Sequence, residues 1–222
     1  MESDYEALKI GTVKDLGDIY QVTAPLDKQL RAFADKGIHT LAAPDEVAQI
    51  HLAGVSEDSS RTRMTSIVLR GEKTILVRDS ISMNPLMASA AVRDHASGRC
   101  FETSRDVYEE AEALAKRQES IDPEDRSALI VSQRGGFVLT PKMPESQFIL
   151  RKQTEPYFDK FTNGTMKLDN LFRYSDRKAI INYMWFKRNC SLDCIWLGLD
   201  KDRPAYGVLR TAEGSAKNTS AS

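Results

Sequence analysis

Lys178-Ala179-Ile180-Ile181-Asn182-Tyr183-Met184-Trp185-Phe186 decides the fold of this chain. Six of its side chains, Ile180, Ile181, Tyr183, Met184, Trp185 and Phe186, suit a central strand buried on both faces, and they fit a buried helix nearly as well. On the strand reading it opens an antiparallel β-meander, continued by residues 192–199 and 205–209 with residues 200–204 as the last turn. Upstream, residues 147–150 read as a strand, and residues 155–161 as a short helix that Asn163-Gly164 closes. Pro141 and Pro144 bracket a connector just before these elements.

The N-terminal part alternates differently. Residues 8–13 and 19–23 read as strands about a turn at Gly17-Asp18, and residues 27–35 as a helix that Gly37 ends. Pro44 followed by Asp45 and Glu46 marks the start of a helix running to Leu52, because proline suits the first helical position and the helix dipole favours acids there. Residues 64–69 and 74–77 read as a hairpin about Gly71. Asn84-Pro85 opens a helix that ends near Gly98, and another follows from residue 103 or 104 to 118 with Val107, Tyr108, Ala111 and Leu114 on one face. Residues 128–131 and 137–139 read as a second hairpin around Arg134-Gly135-Gly136. The fold class is α+β, with short strands and about four helices in the N-terminal two-thirds and the meander in the C-terminal third. Three regions follow: an acidic mixed α/β region over 1–143, a basic aromatic antiparallel β region over 144–211, and a disordered tail over 212–222. One continuous core or two both remain open.

Charge divides at the same place. Residues 151–210 hold 12 Lys and Arg against 7 Asp and Glu, and 10 of the 17 aromatic residues, whereas residues 1–150 carry a net charge of −6. Cations beside flat rings hold phosphates and stack bases, so this region is the candidate nucleic-acid surface. On strands at these positions, Trp196, Tyr206, Arg203 and Arg210 would form a stacking platform, with Arg173, Arg177, Lys178, Lys187 and Arg188 placed for phosphates. The same rings can fill a β core, and the same cations can guard a sheet edge.

Other chemistry has weaker signals. Asp79, with Asp94 or Glu102, is a candidate carboxylate set for a Mg²⁺-dependent nuclease or phosphotransfer enzyme. Cys190 and Cys194 with His95 and Cys100 have the ligand types for zinc, but only one pair is close in sequence. Gly71-Glu72-Lys73-Thr74 does not complete the G-x-x-x-x-G-K-[ST] of a phosphate-binding loop and precedes a strand-like run, and dinucleotide, nucleophile-elbow and metalloprotease motifs are absent. No cofactor is implied. With 41% hydrophobic and 28% charged residues the composition is that of a globular protein. The acidic N-terminus and the lack of a long apolar run predict a cytoplasmic protein without membrane attachment. The leading reading is a non-enzymatic binding protein for single-stranded nucleic acid or RNA. The alternatives are the metal-dependent enzyme and a protein–protein adaptor that associates with a partner or with its own copies.

Overall fold

A computed structural model of the chain describes residues 5–80, 83–131, 136–170, 178–187, 191–195 and 199–210. The run that admitted two readings is a strand, β9 (Ala179–Phe186), inside one mixed sheet. Its side chains alternate between two cores: Ile181 and Tyr183 join one, Met184 and Phe186 the other. Burial on both faces removes the apolar-polar alternation of a one-sided strand, which is why the sequence imitated a helix. Removing each such large side chain from water contributes about 1.5–3 kcal/mol.

Strand β9 pairs antiparallel with β3 (Ser60–Val68) on one side and β10 (Leu192–Ile195) on the other. Beyond β3 lie β11 (Arg203–Leu209), β2 (Gly17–Ala24) and the edge strand β1 (Leu8–Val13). Beyond β10 lie β8 (Met166–Asn170) and the other end of the path, β7 (Phe137–Leu139). Strand β4 (Thr74–Val77) adds to β3, β6 (Ala128–Val131) adds to β4, and β5 (Glu102–Thr103) pairs with β9.

Helices cover both faces. On one side α1 (Leu26–Ala34), α3 (Pro85–Ala96) and α4 (Arg105–Arg117) place Leu30, Phe33, Ala88, Ala91 and Tyr108 against Ile67, Ile181 and Tyr183. On the other, α2 (Pro44–Leu52), α5 (Pro144–Leu150) and α6 (Thr154–Phe161) place Val47, Ile50, Phe148, Tyr157 and Phe158 against Met64, Met184, Phe186 and Tyr206. Among the described residues no helix is long and apolar enough to cross a membrane.

Three expectations need correction. Strands occur throughout the chain, and the C-terminal ones do not form an antiparallel meander. Strand β11 leaves β10 and inserts between β2 and β3, lying parallel to β3, while β10 runs parallel to β8. Residues 147–150 are helical, because Pro144 takes the first helical position and Phe148, Ile149 and Leu150 are all buried. Strands β6 and β7 do not pair as a hairpin; β6 joins β4 and β7 joins β8. Strands from both sides of residues 143/144 share one sheet, as the pairs β3–β9 and β2–β11 do. The tail over 212–222 lies outside the described residues.

Candidate functional site

A polar cleft of about 600 Å³ opens where α2, the β1–β2 turn and two 3-10 turns meet. The 3-10 turns are Pro123–Asp125 and Arg151–Gln153. Asp45, Glu46 and Gln49 line the cleft from α2, Asp15 and Leu16 from the β1–β2 turn, Arg63 from β3, and Arg210 from just beyond β11. Gly17 makes this meeting close. It has φ 121°, and a Cβ there would run into the Leu209 carbonyl oxygen and lie 3.0 Å from Arg210 Cα. Any larger residue would strain the turn and push Arg210 from its place.

The charges along the α2 wall of the cleft are matched. Glu46 lies in the first turn of α2; its Oε2 accepts from the Ala43 backbone N–H at 2.7 Å and from Arg63 Nη1 at 3.1 Å. Its Oε1 accepts from Arg210 Nη2 at 2.6 Å. Arg63 Nε also lies 2.7 Å from Asp79 Oδ1, so two guanidiniums and two carboxylates form one neutral chain. Behind it Arg78, 2% exposed, donates to Asp45 Oδ1 at 2.8 Å and to the Phe148 carbonyl, and its guanidinium lies over the Phe148 ring. Burial is the largest influence against the Arg78 charge; Asp45 offsets it, and the nearby Arg151 and Arg63 charges oppose it.

The mouth is different. Arg151 and Lys152 on one 3-10 turn, and Glu124 and Asp125 on the other, face the cleft without a salt bridge among the described residues. Arg151 holds φ 49° and ψ −135°, a backbone region that glycine favours. Its Nε is enclosed and has no hydrogen-bond partner among the described residues. Holding a side chain there costs on the order of 1–3 kcal/mol, and such strain concentrates at functional positions.

The residues singled out from sequence fare unequally. Arg173, Arg177, Arg188 and Trp196 lie outside the described residues. Lys178 is paired with Glu102 at 3.3 Å, Lys187 with Asp193 at 2.5 Å, and Arg210 with Glu46. Tyr206 is core: it is 0% exposed, and its hydroxyl donates to Ser56 Oγ at 2.7 Å and sits 3.2 Å from the Asp58 carbonyl. Its ring therefore offers no stacking surface beside Arg210. A cation–ring cluster does exist around Trp185 on β9, two strands from β11. The guanidinium carbons of Arg61 and exposed Arg203 lie 5.9 and 5.8 Å from the centre of the half-buried Trp185 ring. Arg61 is structural, donating to the Ala24 carbonyl at 2.8 Å, Gln29 Oε1 at 3.0 Å and the Lys201 carbonyl at 2.9 Å.

The carboxylates proposed for metal chemistry do not converge. Asp79 contacts Arg63, Asp94 accepts from Arg99, and Glu102 contacts Lys178. Cys194 is buried in the core shared by α2, α5 and α6, whereas His95 belongs to α3 on the opposite face. Cys190 lies outside the described residues. Burial pushes the Cys194 thiol up to about 12, so it stays protonated at neutral pH. Among the described residues no three His, Cys, Asp or Glu side chains are grouped to hold a metal ion.

No protein-family model matches the chain, and no curated protein does either. A solved structure described as the accommodation of massive sequence variation in Nanoarchaeota by the C-type lectin fold is similar, with a TM-score of 0.58. The match covers 94% of this chain and 100% of that one at 11% identity. The chain has a C-type lectin-like fold. At this identity the likeness is one of architecture, and the cleft must be read from its own residues.

Arg151 and Lys152 escaped the sequence reading. A left-handed backbone at an arginine has no local signal, since only glycine advertises that conformation. Cations and acids facing each other across a cleft are 26 residues or more apart in sequence, as Asp125 and Arg151 are.

Proposed function

We propose that this protein is a non-enzymatic binding module that recognises a partner protein in the cleft between α2 and the two 3-10 turns. The observation that carries this reading is the contrast within the cleft, where the charges along the α2 wall are neutralised and four charges at the mouth are left for something else. Its volume lies within the range of ligand sites. The fold supports the reading as well, because the similar structure is described as accommodating massive sequence variation, the property of a scaffold that carries recognition residues on a constant core.

The test is a random dodecapeptide library panned against the purified protein. Gln49 lines the cleft from α2, so Gln49→Trp should fill it and abolish capture of the enriched peptides, while the exposed Lys116→Glu on α4 should not. Peptides captured equally by Gln49→Trp would refute the cleft as the site.

A second reading is single-stranded nucleic acid, favoured by Trp185 beside Arg203. It predicts affinity for an RNA oligonucleotide that falls steeply as salt rises, and loss of that affinity in Arg203→Glu. It is the lesser reading, because Lys178, Lys187 and Arg210 already hold carboxylates and Tyr206 is enclosed.

A further inference from the structure

We infer that the cleft selects a partner segment of mixed charge: an acidic side chain seated on Arg151 and Lys152 and, nearby along the same segment, a basic one facing Glu124 and Asp125. The inference rests on the proposed use of the cleft as a protein-binding site and adds the chemistry of the occupant.

The two 3-10 turns bring opposite charges to one space without joining them. Glu124, Arg151 and Lys152 line the main cleft and again the adjoining hollow of about 250 Å³, yet no salt bridge links them. The acids of the α2 wall are committed, since Glu46 holds Arg63 and Arg210, and Asp45 holds Arg78. Arg151 and Lys152 are therefore the cations with charge to spare. Arg151 has an enclosed Nε without an acceptor, on a backbone conformation that fixes the direction in which its side chain leaves the chain. The enclosed Nε is out of a partner's reach, but the unpaired guanidinium charge beside Lys152 best suits a carboxylate, which a guanidinium meets through charge-assisted hydrogen bonds.

The opposite wall excludes the simpler occupants. A nucleic-acid strand would carry repeated negative charge past Glu124, Asp125 and Asp15, well within a Debye length of all three. An apolar segment would strip water from four charges and return no partner to any of them. A segment carrying both signs satisfies both walls, and reversing its order would set like charges against each other, which confers direction as well as affinity.

The experiment uses the peptides enriched from the random dodecapeptide library, synthesised with a fluorophore and titrated by anisotropy against the full chain and its variants. Enriched peptides should contain Asp or Glu together with Lys or Arg. Lys152→Glu, a change at an exposed position, should weaken binding by about tenfold or more, and a peptide whose acid is replaced by Lys should recover that loss on the variant. Glu124→Lys should act in the same way on the basic position of the peptide. Melting temperatures equal to that of the unaltered protein show that the variants are folded; if Lys152→Glu failed this check, Lys152→Gln would replace it. Enriched peptides without acids, or affinity indifferent to Lys152→Glu and Glu124→Lys, would overturn the inference. In that event loss of binding in Gln49→Trp would still uphold the cleft as the binding site. A library with no enrichment, or peptides insensitive to Gln49→Trp, defeats both readings. An RNA dodecanucleotide that displaces the peptides and binds more tightly than they do would overturn the inference in favour of nucleic acid.

Discussion

Arg61 lies in the sheet at 3% exposure with its guanidinium bonded to the Ala24 carbonyl, Gln29 Oε1 and the Lys201 carbonyl, whereas Arg151 stands at a cleft mouth with its Nε unpartnered. The same side chain thus serves two ends. Around Arg61 the structure is closed: Gln29, itself buried, donates to the Val22 and Arg203 carbonyls and completes a knot joining β2, β3, β11 and α1. Around Arg151 it is open, and the backbone bears strain although the Arg151 side chain has no salt bridge or Nε hydrogen bond among the described residues. Basic residues acquire a role from the acceptors that surround them, and a count of cations along the chain does not distinguish the two cases.

The contrast breaks first if the closed region proves tolerant. Tyr206→Ala should cost about 3–5 kcal/mol in urea unfolding, because a fully enclosed ring leaves a cavity and its hydroxyl no longer holds the loop at Ser56 and Asp58. Arg61→Ala should cost about 3 kcal/mol by the same measurement, since the buried Ala24 carbonyl, the buried Gln29 Oε1 and the part-buried Lys201 carbonyl lose their donor. Losses under about 1 kcal/mol for both would mean that the closed region is not what holds the sheet together.

Acid provides a graded version of the same test. Burial, partly offset by Asp200 and Asp94, holds His95 down at about 4, and burial also lowers His51, whose Nε2 faces the Asp58 carbonyl and whose Nδ1 faces the Tyr157 hydroxyl. A carbonyl only accepts, so His51 carries its proton on Nε2 and receives the tyrosine hydrogen on Nδ1. Both histidines bind protons more readily unfolded than folded. The His95 contribution is therefore complete above pH 6.5, the ordinary histidine value, and declines as pH falls from there toward 4, and His51 acts in the same direction. For His95 the decline amounts to about 3 kcal/mol, and His95→Gln should flatten the stability–pH curve across that window. At the open end, Lys152→Glu should change stability by less than about 0.5 kcal/mol, as befits an exposed side chain without a bond.

How much of this was legible depended on whether the signal was local. Helices α2 and α3 were readable from Pro44 with Asp45 and Glu46, and from Asn84-Pro85, whose Asn84 side chain accepts from the Leu86 N–H. Helix α5 was mistaken for a strand because four residues, 147–150, are too few to display a period. Strand β8 was passed over although Met166 and Leu168 point inward and Lys167 outward, a short alternation hidden behind the Asn163-Gly164 turn. The insertion of β11 between β2 and β3 could not be read, since a strand does not encode its distant neighbours. The site suffered most. Lys178, Lys187 and Arg210 looked free because Glu102 and Glu46 are remote in sequence, and Asp193 comes within reach of Lys187 only where β9 and β10 pair.

The arginine at position 151 is kept at the expense of the fold, and Arg151→Gly tests this most directly. Glycine relieves strain of about 1–3 kcal/mol at φ 49° and gives back about 0.5–1 kcal/mol through the greater freedom of the unfolded chain, a net gain near 1 kcal/mol. Urea unfolding of Arg151→Gly should therefore show a protein more stable than the original by about 1 kcal/mol that no longer retains the enriched peptides. A variant less stable by about 1 kcal/mol or more would show that the Arg151 side chain supports the fold, and would contradict the division between closed and open regions.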